Sequence, residues 1–152
     1  IAYHRGHLSS GLSKRGAMMA VALGEDDVKP YVVQAVDAGD LTVACINSPA
    51  SVTLSGDVAA INQVKERLDE NQVFCRKLLV STAYHSPHMQ ELAGPYLQAL
   101  ADLPSAPADA PVPMFSSVTG ALIPASTLST AEYWVSNMTS PVLFLQALSA
   151  AL

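Results

Sequence analysis

Basic residues are missing from the second half of the sequence. All eight Lys and Arg lie in residues 1–77, together with nine Asp and Glu, whereas residues 78–152 hold no base and only four acids. The formal net charge is −5. A nucleic-acid binder concentrates positive charge for the phosphate backbone, so this distribution argues against that partner. Residues 78–152 also carry too little charge for an ordinary solvated surface, and we expect them to pack against protein outside this chain.

Long apolar runs and cysteines are also scarce. Half of the 152 residues are hydrophobic, which is too apolar for disorder, but no run is long enough to span a membrane. The two cysteines, Cys45 and Cys75, fall inside strand-like segments, a pattern typical of a reducing cytoplasm. The sequence opens at Ile1 without a signal peptide and stops inside a helical pattern, so we expect a fragment of a larger cytoplasmic protein.

The hydrophobic pattern of residues 16–80 predicts a βαββαβ unit, which is the ferredoxin-like plan. Four strand-length apolar runs cover residues 16–23, 41–46, 51–54 and 73–80. Acids at 25–27 begin a helix that Gly39 ends, and a second helix over about 57–70 has one apolar face. The second and fourth strands of this plan form opposite edges, so Cys45 and Cys75 are expected as free thiols.

Helices and loops surround this unit in the predicted order. Residues 1–13 are helical, and Ser86 and Pro87 are the cap and first residue of a helix that runs to about Leu103. A short strand at 114–118 is followed by helices at 131–138 and from Pro141. Between them, an irregular and mobile connection is marked by Pro104, Pro107, Pro111 and Pro113.

Two residues in these outer segments are candidates for chemistry. His85 directly precedes a helix N-cap, where the positive end of the helix dipole disfavours imidazolium and favours a neutral general base. The alternative is an ordinary surface-loop histidine. Arg5 could pair with a carboxylate through its planar fork, or could be a solvent-exposed helix residue. His88 is expected at the surface, and His85 with His88 lacks a third ligand for zinc.

The sequence offers no convincing nucleophile for this base. The segment GHLSSG at 6–11 has one residue too many for a Gly-x-Ser-x-Gly elbow and no preceding strand. Cys45 and Cys75 are interpreted as inert residues inside strands. The chain therefore supplies a candidate base without its nucleophile.

Several segments, in shared order and spacing, resemble the acyltransferase domain of type I polyketide synthases, in particular the fungal highly reducing enzymes. They are AYHRG (2–6), GAMMAV (16–21), CINSP (45–49), SVTLSG (51–56), AYHSPHM (83–89), FSSVTG (115–120), YWVSN (133–137) and PV (141–142). The resemblance covers nearly the whole chain.

The resemblance implies an α/β fold in which a ferredoxin-like subdomain is inserted into an α/β-hydrolase-like body. Residues 16–80 would be the small subdomain, and residues 1–15 and 81–152 would belong to the large one. The implied reaction is malonyl-CoA:acyl carrier protein transfer, in which a serine takes the acyl group from coenzyme A and passes it to the phosphopantetheine thiol of an acyl carrier protein. The partners would be malonyl-CoA, that carrier protein and the remaining synthase. No covalently bound cofactor and no metal are expected.

The resemblance also assigns roles to four residues. His85 matches the catalytic histidine that activates the serine, and Asn137 matches the residue whose carbonyl orients that histidine. Arg5 matches the arginine that binds the free carboxylate of a malonyl-type group. Tyr84 occupies the place where a bulky aromatic residue favours malonyl over methylmalonyl.

The family's Gly-His-Ser-x-Gly elbow would lie upstream of Ile1, so we expect this chain to be inactive alone. The competing hypothesis is a non-catalytic ferredoxin-like interaction or regulatory module derived from such a domain. A stand-alone thiol hydrolase is disfavoured, because Arg5 and the inserted unit would serve no evident purpose there.

Overall fold

A computed structural model describes residues 1–105 and 112–152 of the chain. Pro107 and Pro111 of the predicted connection lie outside these residues. The first part contains α1 (Ala2–Ser10), β1 (Gly16–Val21), α2 (Glu25–Gln34), β2 (Leu41–Ser48), β3 (Ser51–Asp57), α3 (Val58–Glu70), β4 (Cys75–Lys77) and α4 (Ala93–Ala99). Residues 112–152 contain β5 (Met114–Ser116), β6 (Ala121–Ile123), α5 (Ala131–Thr139) and α6 (Phe144–Ala151). Short 3₁₀ helices cover Val36–Ala38, Pro87–Leu92 and Ala125–Ser129.

The first four strands form one antiparallel sheet in the order β2-β3-β1-β4. With α2 after β1 and α3 after β3, this is the predicted βαββαβ unit, and the mixed α/β fold is confirmed. Met19 lies opposite Leu54 in the β1–β3 pair. Strands β2 and β4 are the two edges, and Cys45 and Cys75, one on each, are free. The expectation of free thiols is confirmed.

One apolar core holds this sheet unit together. Its nine buried residues come from β1, α2, β3, α3 and the position directly after α2. They are Met19, Val21, Val28, Ala35, Val52, Leu54, Ile61, Val64 and Leu68. Three of them lie on one face of α3, because residues three to four apart on a helix share a face. The predicted apolar face of the second helix is therefore the face that is buried.

Three elements of the unit are shorter than the sequence predicts, and the first of them, β1, ends at Val21 instead of residue 23. β4 covers only Cys75–Lys77, and Leu79 beyond it is fully exposed. The apolar run at 78–80 therefore follows β1 only irregularly, with the Leu78 N–H donating to the Met18 carbonyl at 2.9 Å. α2 ends at Gln34 and is followed by a 3₁₀ turn before Gly39, whose φ of +127° stops the helical path.

The helix predicted from Ser86 to Leu103 is divided into a 3₁₀ helix and α4. Pro95 is the third residue of α4. A proline has no N–H and fits the first turn of an α-helix but not its interior, so the α-helix begins only at Ala93. The predicted cap is confirmed, since Ser86 Oγ accepts a hydrogen bond from the His88 N–H at 3.2 Å.

A second, smaller core lies outside the sheet unit. Its buried members are Met89, Leu92, Tyr96, Leu100 and Met138, from the 86–100 segment and α5. The strand expected at 114–118 is one arm of a β5–β6 hairpin that the sequence analysis missed. The hairpin turns at Gly120, whose φ of +69° favours glycine.

A backbone bridge joins the two parts of the molecule. The Ile46 N–H of β2 donates to the Val142 carbonyl at 2.9 Å, and the Val142 N–H donates to the Ala44 carbonyl at 2.8 Å. Residue 142 thus extends the β2 edge of the sheet. Within the described residues, no helix is both long and apolar enough to cross a membrane.

Candidate active site

A cavity of about 490 Å³ lies where α1, the sheet and the 81–85 loop meet. This volume is within the range of small-molecule sites. Its lining comes from one face of α1, from β1 and β2, and from the loop, and comprises Ala2, Arg5, Gly6, Ser9, Met18, Cys45, Tyr84 and His85. The α1 residues are spaced three to four apart, which places them on one helical stripe. Of the four predicted site residues, Arg5, Tyr84 and His85 share this cavity.

The backbone around Gly16 sets the position of the loop that carries His85. The Gly16 N–H donates to the Ser81 carbonyl at 2.9 Å. A Cβ built on Gly16 would lie 2.4 Å from the Ala83 Cβ, a distance that no side chain tolerates. Glycine at the start of β1 is therefore needed for the loop to approach the sheet this closely.

His85 is held in a constrained conformation with one ring nitrogen occupied. Its φ of +58° is uncommon for a residue with a side chain. Its Nδ1 lies 3.0 Å from the Ser140 carbonyl oxygen, so Nδ1 carries a proton and donates. In the neutral ring, Nε2 is then the basic nitrogen.

The surroundings of His85 favour the neutral ring. Burial lowers its pKa below the ordinary value, and the positive charge of Arg5 acts in the same direction, while the bond to the Ser140 carbonyl opposes them. A neutral imidazole at pH 7 can accept a proton, as a general base must. Burial is thus the main cause of the lowered pKa of His85. The prediction from the sequence rested on the helix dipole instead.

The expected contact between His85 and Asn137 is not the one that the structure contains. Asn137 Oδ1 accepts a hydrogen bond from Arg5 Nη1 at 2.8 Å, and the backbone carbonyl of Ser140 is the partner of His85. Asn137 and Ser140 are close in sequence, at the end of α5. The sequence could not show which of the two carbonyl groups faces the imidazole.

His88 is buried and not at the surface as predicted, with 6% of its area exposed. Its Nε2 lies 3.1 Å from Asp57 Oδ1, at the junction of β3 and α3. Lys14 Nζ lies 2.8 Å from the same oxygen and 3.3 Å from Asp40 Oδ2. The ligand atoms of Asp40, Asp57 and His88 lie within 4.8 Å of one another, as in a metal site, but the cation between the two carboxylates is the Lys14 ammonium.

Sequence reasoning missed five residues that line the cavity, and Ser9, Met18 and Cys45 are three of them. Ser9 follows Arg5 by four residues, and this spacing could have identified it. Met18 and Cys45 reach the cavity from β1 and β2, and only the three-dimensional fold reveals that position. The cysteine interpreted as inert thus lies beside the site, and burial raises the pKa of its thiol.

These groups together define a class of site. A neutral histidine and an arginine fork, facing one mostly apolar cavity, suit group transfer on a small anionic compound. The chain matches the acyl transferase domain family over residues 1–152. It belongs to that family.

Several curated proteins that resemble this chain are fungal polyketide synthases. The chain is 49% identical over 152 residues to the reducing polyketide synthase FUB1 of Gibberella fujikuroi, covering 99% of the chain and 6% of that protein. It is 47% identical to the highly reducing polyketide synthase Preu1 of Preussia isomera, covering all of the chain and 7% of that protein. The chain thus spans a small fraction of these relatives, and the resemblance found in the sequence is confirmed.

Solved structures agree with the fold. The acyltransferase domain from module 8 of the salinomycin polyketide synthase superposes with a TM-score of 0.87 at 30% identity, over 97% of this chain and 34% of that one. The malonyl CoA-acyl carrier protein transacylase of Clostridium perfringens gives a TM-score of 0.85 at 22% identity, over 97% of this chain and 47% of that one. At that identity the second likeness concerns the fold alone.

Proposed function

We propose that this chain is part of a polyketide synthase acyltransferase domain that moves a malonyl group from coenzyme A to an acyl carrier protein. The observation that carries the proposal is the meeting of Arg5, Tyr84 and His85 in one cavity, although Arg5 and the other two are about 80 positions apart in sequence. Arg5 provides a partner for a carboxylate, and His85 provides a base. The matched family supplies the acyl transfer reaction.

His85 acts as the general base and acid of the transfer. Its Nε2 takes the proton from the hydroxyl of a serine outside this chain as the serine oxygen attacks the thioester carbonyl. The tetrahedral intermediate then collapses, the carbon–sulfur bond breaks, and Nε2 returns the proton to the departing coenzyme A thiolate. The second half-reaction repeats these steps with the phosphopantetheine thiol of the carrier protein. The Ser140 carbonyl fixes the ring for both halves.

Arg5 selects acyl groups that carry a free carboxylate. Asn137 occupies one donor of the guanidinium and thereby orients it, which leaves the other N–H groups for the malonyl carboxylate. A carboxylate in a partly enclosed cavity requires such charge-assisted bonds. Asn137 is then a positioning residue for Arg5.

Tyr84 limits the space beside the reacting carbon. It is half-buried, lines the cavity and packs against the second core. Its ring would occupy the volume that an α-methyl group needs, so malonyl is favoured over methylmalonyl.

The proposal includes the arrangement of the parent protein. Residues 16–80 form the small subdomain, and residues 1–15 and 81–152 belong to a large one completed by other segments. The exposed apolar side chains of Leu78, Leu79 and Val80 support this, because they adjoin the site loop and would be covered by the rest of the domain. The isolated chain is inactive, and the synthase works in the cytoplasm. This chain itself carries no covalently bound cofactor, because the phosphopantetheine is attached to the acyl carrier protein.

The test is the Arg5→Ala variant in the intact parent synthase. Loss of the charge-assisted pair should lower malonyl loading by roughly 10–150-fold and leave acetyl loading nearly unchanged. Covalent acyl-enzyme formed from malonyl-CoA and from acetyl-CoA is measured by mass spectrometry. Arg15→Ala, which removes an exposed arginine, is the matched control and should behave as wild type.

A parallel loss of both substrates would indicate a folding defect and not a lost carboxylate partner. An unchanged malonyl-to-acetyl ratio would contradict the substrate assignment. The Arg5→Lys variant should recover only part of the malonyl loading, since lysine keeps the charge but lacks the fork.

A further inference from the structure

The carbonyl that holds the His85 ring is turned out of a helix. Helix α5 ends at Thr139, and the Ser140 N–H still donates to the Ser136 carbonyl at 2.8 Å, as a helical residue would. The Ser140 backbone then leaves the helical path, with φ of −91° and ψ of 159°. A helical ψ of about −42° would point its carbonyl to roughly the opposite side. The extended conformation of Ser140 therefore brings this oxygen to 3.0 Å from His85 Nδ1.

Pro141 restricts Ser140 to this extended conformation. A proline disfavours the helical region for the residue before it and favours ψ values of about +120 to +160° there. The ψ of 159° at Ser140 lies within that range. Pro141 also has no N–H, and in a continued helix its ring would clash with the Asn137 carbonyl. Both effects end α5 at the point where the Ser140 carbonyl turns toward His85.

Backbone hydrogen bonds hold the residues on either side of the Ser140–Pro141 peptide. On one side, the Ser140 N–H is bonded to α5. On the other side, the Val142 N–H donates to the Ala44 carbonyl of β2 at 2.8 Å. Pro141 between them has no N–H that could be held in this way. The direction of the Ser140 carbonyl thus depends on the ψ angle that the proline restricts.

The proline ring itself contributes little to packing. Pro141 is exposed, and within the described residues it belongs to neither of the two apolar cores. It does not line the cavity either. A substitution at this position therefore removes little buried surface, and its main effect falls on the backbone of Ser140.

We infer that Pro141 is a positioning residue for the transfer reaction, which directs the Ser140 carbonyl at His85 Nδ1 and thereby keeps Nε2 available as the basic nitrogen. The inference rests on the proposed function, because it concerns the base of the same reaction. Loss of the proline should impair proton transfer with every acyl group, and it should leave the choice between acyl groups unchanged.

The experiment compares Pro141→Ala with wild type in the intact parent synthase. Alanine permits a helical Ser140, so kcat for loading should fall about tenfold with malonyl-CoA and with acetyl-CoA, while each KM stays within about twofold. The bond to the Ser140 carbonyl raises the pKa of His85, so its loss should move the acid limb of kcat/KM to lower pH. Arg5, the charged group that acts on His85, is the same in both proteins.

Two further variants serve as controls. Pro141→Val should recover part of the lost loading, since a β-branched residue is a poorer helix former than alanine. Pro113→Ala, at an exposed proline before β5, removes the same kind of constraint from the unfolded chain. It should load both substrates as the wild type does, with an unchanged pH profile.

Two results would overturn the inference. Wild-type rates and an unmoved acid limb in Pro141→Ala would show that the carbonyl is positioned without the proline. Lower loading with a lower thermal midpoint and an unmoved acid limb would show that the proline serves folding stability alone. Failure of the proposed function gives a different pattern, in which Arg5→Ala leaves the malonyl-to-acetyl ratio unchanged or the wild type does not load malonyl.

Discussion

The sheet unit and the segments around it differ in how they are built. The unit of residues 16–77 has a core of nine buried residues, while the segments around it share a core of five. Both parts expose large apolar side chains, such as Val33 and Phe74 in the sheet unit and Phe144 and Leu148 in the surrounding part. The sheet unit, with the larger core, is the framework of the molecule.

The site lies at the junction of these two parts. Arg5, Ser9 and His85 come from the surrounding segments, and Met18 and Cys45 come from the sheet. The framework supplies a fixed apolar wall, and the surrounding part supplies the reactive and charged groups. This division predicts that substitutions in the two parts separate stability from activity.

The sharpest test of this separation contrasts His85→Ala with Leu54→Ala in the intact synthase. Removing the base should lower loading of every acyl group by about 10³-fold or more, while the lost bond to the Ser140 carbonyl should cost only about 1 kcal/mol of unfolding free energy. Removing buried methyl groups from the sheet core should cost about 2–5 kcal/mol of unfolding free energy, and loading per folded molecule should change little. Acyl loading and denaturant midpoints are measured on both variants.

A His85→Ala variant that loads at close to the wild-type rate would remove this residue from the mechanism. A Leu54→Ala variant with lost activity but normal stability would mean that the sheet does more than support the site. Either result would contradict the prediction that substitutions in the two parts separate stability from activity.

The framework could be predicted from the sequence because its signals are local and redundant. Acids at 25–27 begin α2, a stripe of aliphatic residues marks α3, and alternating turns and apolar runs mark the strands. Each signal agrees with the others. The free cysteines followed from strand order alone.

The sequence indicated several residues of the site but not the contacts between them, because contacts between distant segments leave no local signal. His85 was found through its place before a cap, but its partner Ser140 is 55 residues away and contributes only a backbone carbonyl. The burial of His88 depends on Asp57 in another element. The missed β6 contains too few residues for a periodic pattern.

The next test asks whether Asn137, in the surrounding part, positions Arg5 or His85. Since it bonds to Arg5, Asn137→Ala should lower malonyl loading about tenfold, chiefly through KM, and leave acetyl loading and its pH profile unchanged. An Asn137 that oriented His85 instead would reduce both substrates together and shift the acid limb of the profile. Asn137→Gln keeps the acceptor and should recover part of the malonyl loading. The measurement is the pH dependence of loading with each substrate.

The smallest effect is expected at a charged cluster that connects the two parts. The cluster consists of Lys14, Asp40, Asp57 and His88. Burial raises the pKa of Asp57, but hydrogen bonds from Lys14 and the Asp40 N–H outweigh it, and the net pKa is lowered. A carboxyl whose pKa is lower in the folded state adds stability above its unfolded pKa of about 3.9, and that stability is lost as the pH falls through the folded value.

Asp57→Asn should therefore reduce the free energy of unfolding by about 1 kcal/mol at pH 7, and the difference should shrink as the pH falls below about 3.9 and through the lower pKa of the folded carboxyl. Urea unfolding of both proteins between pH 7 and 3 measures this convergence. Asp40→Asn, at a more exposed carboxylate whose bond to Lys14 is 3.3 Å, is the control and should have a smaller effect. Parallel curves for wild type and Asp57→Asn across the whole range would mean that the carboxylate charge does not stabilise the junction. In that case the backbone bridge at Val142, and not the Lys14–Asp57–His88 cluster, would be the connection that holds the site segments against the sheet.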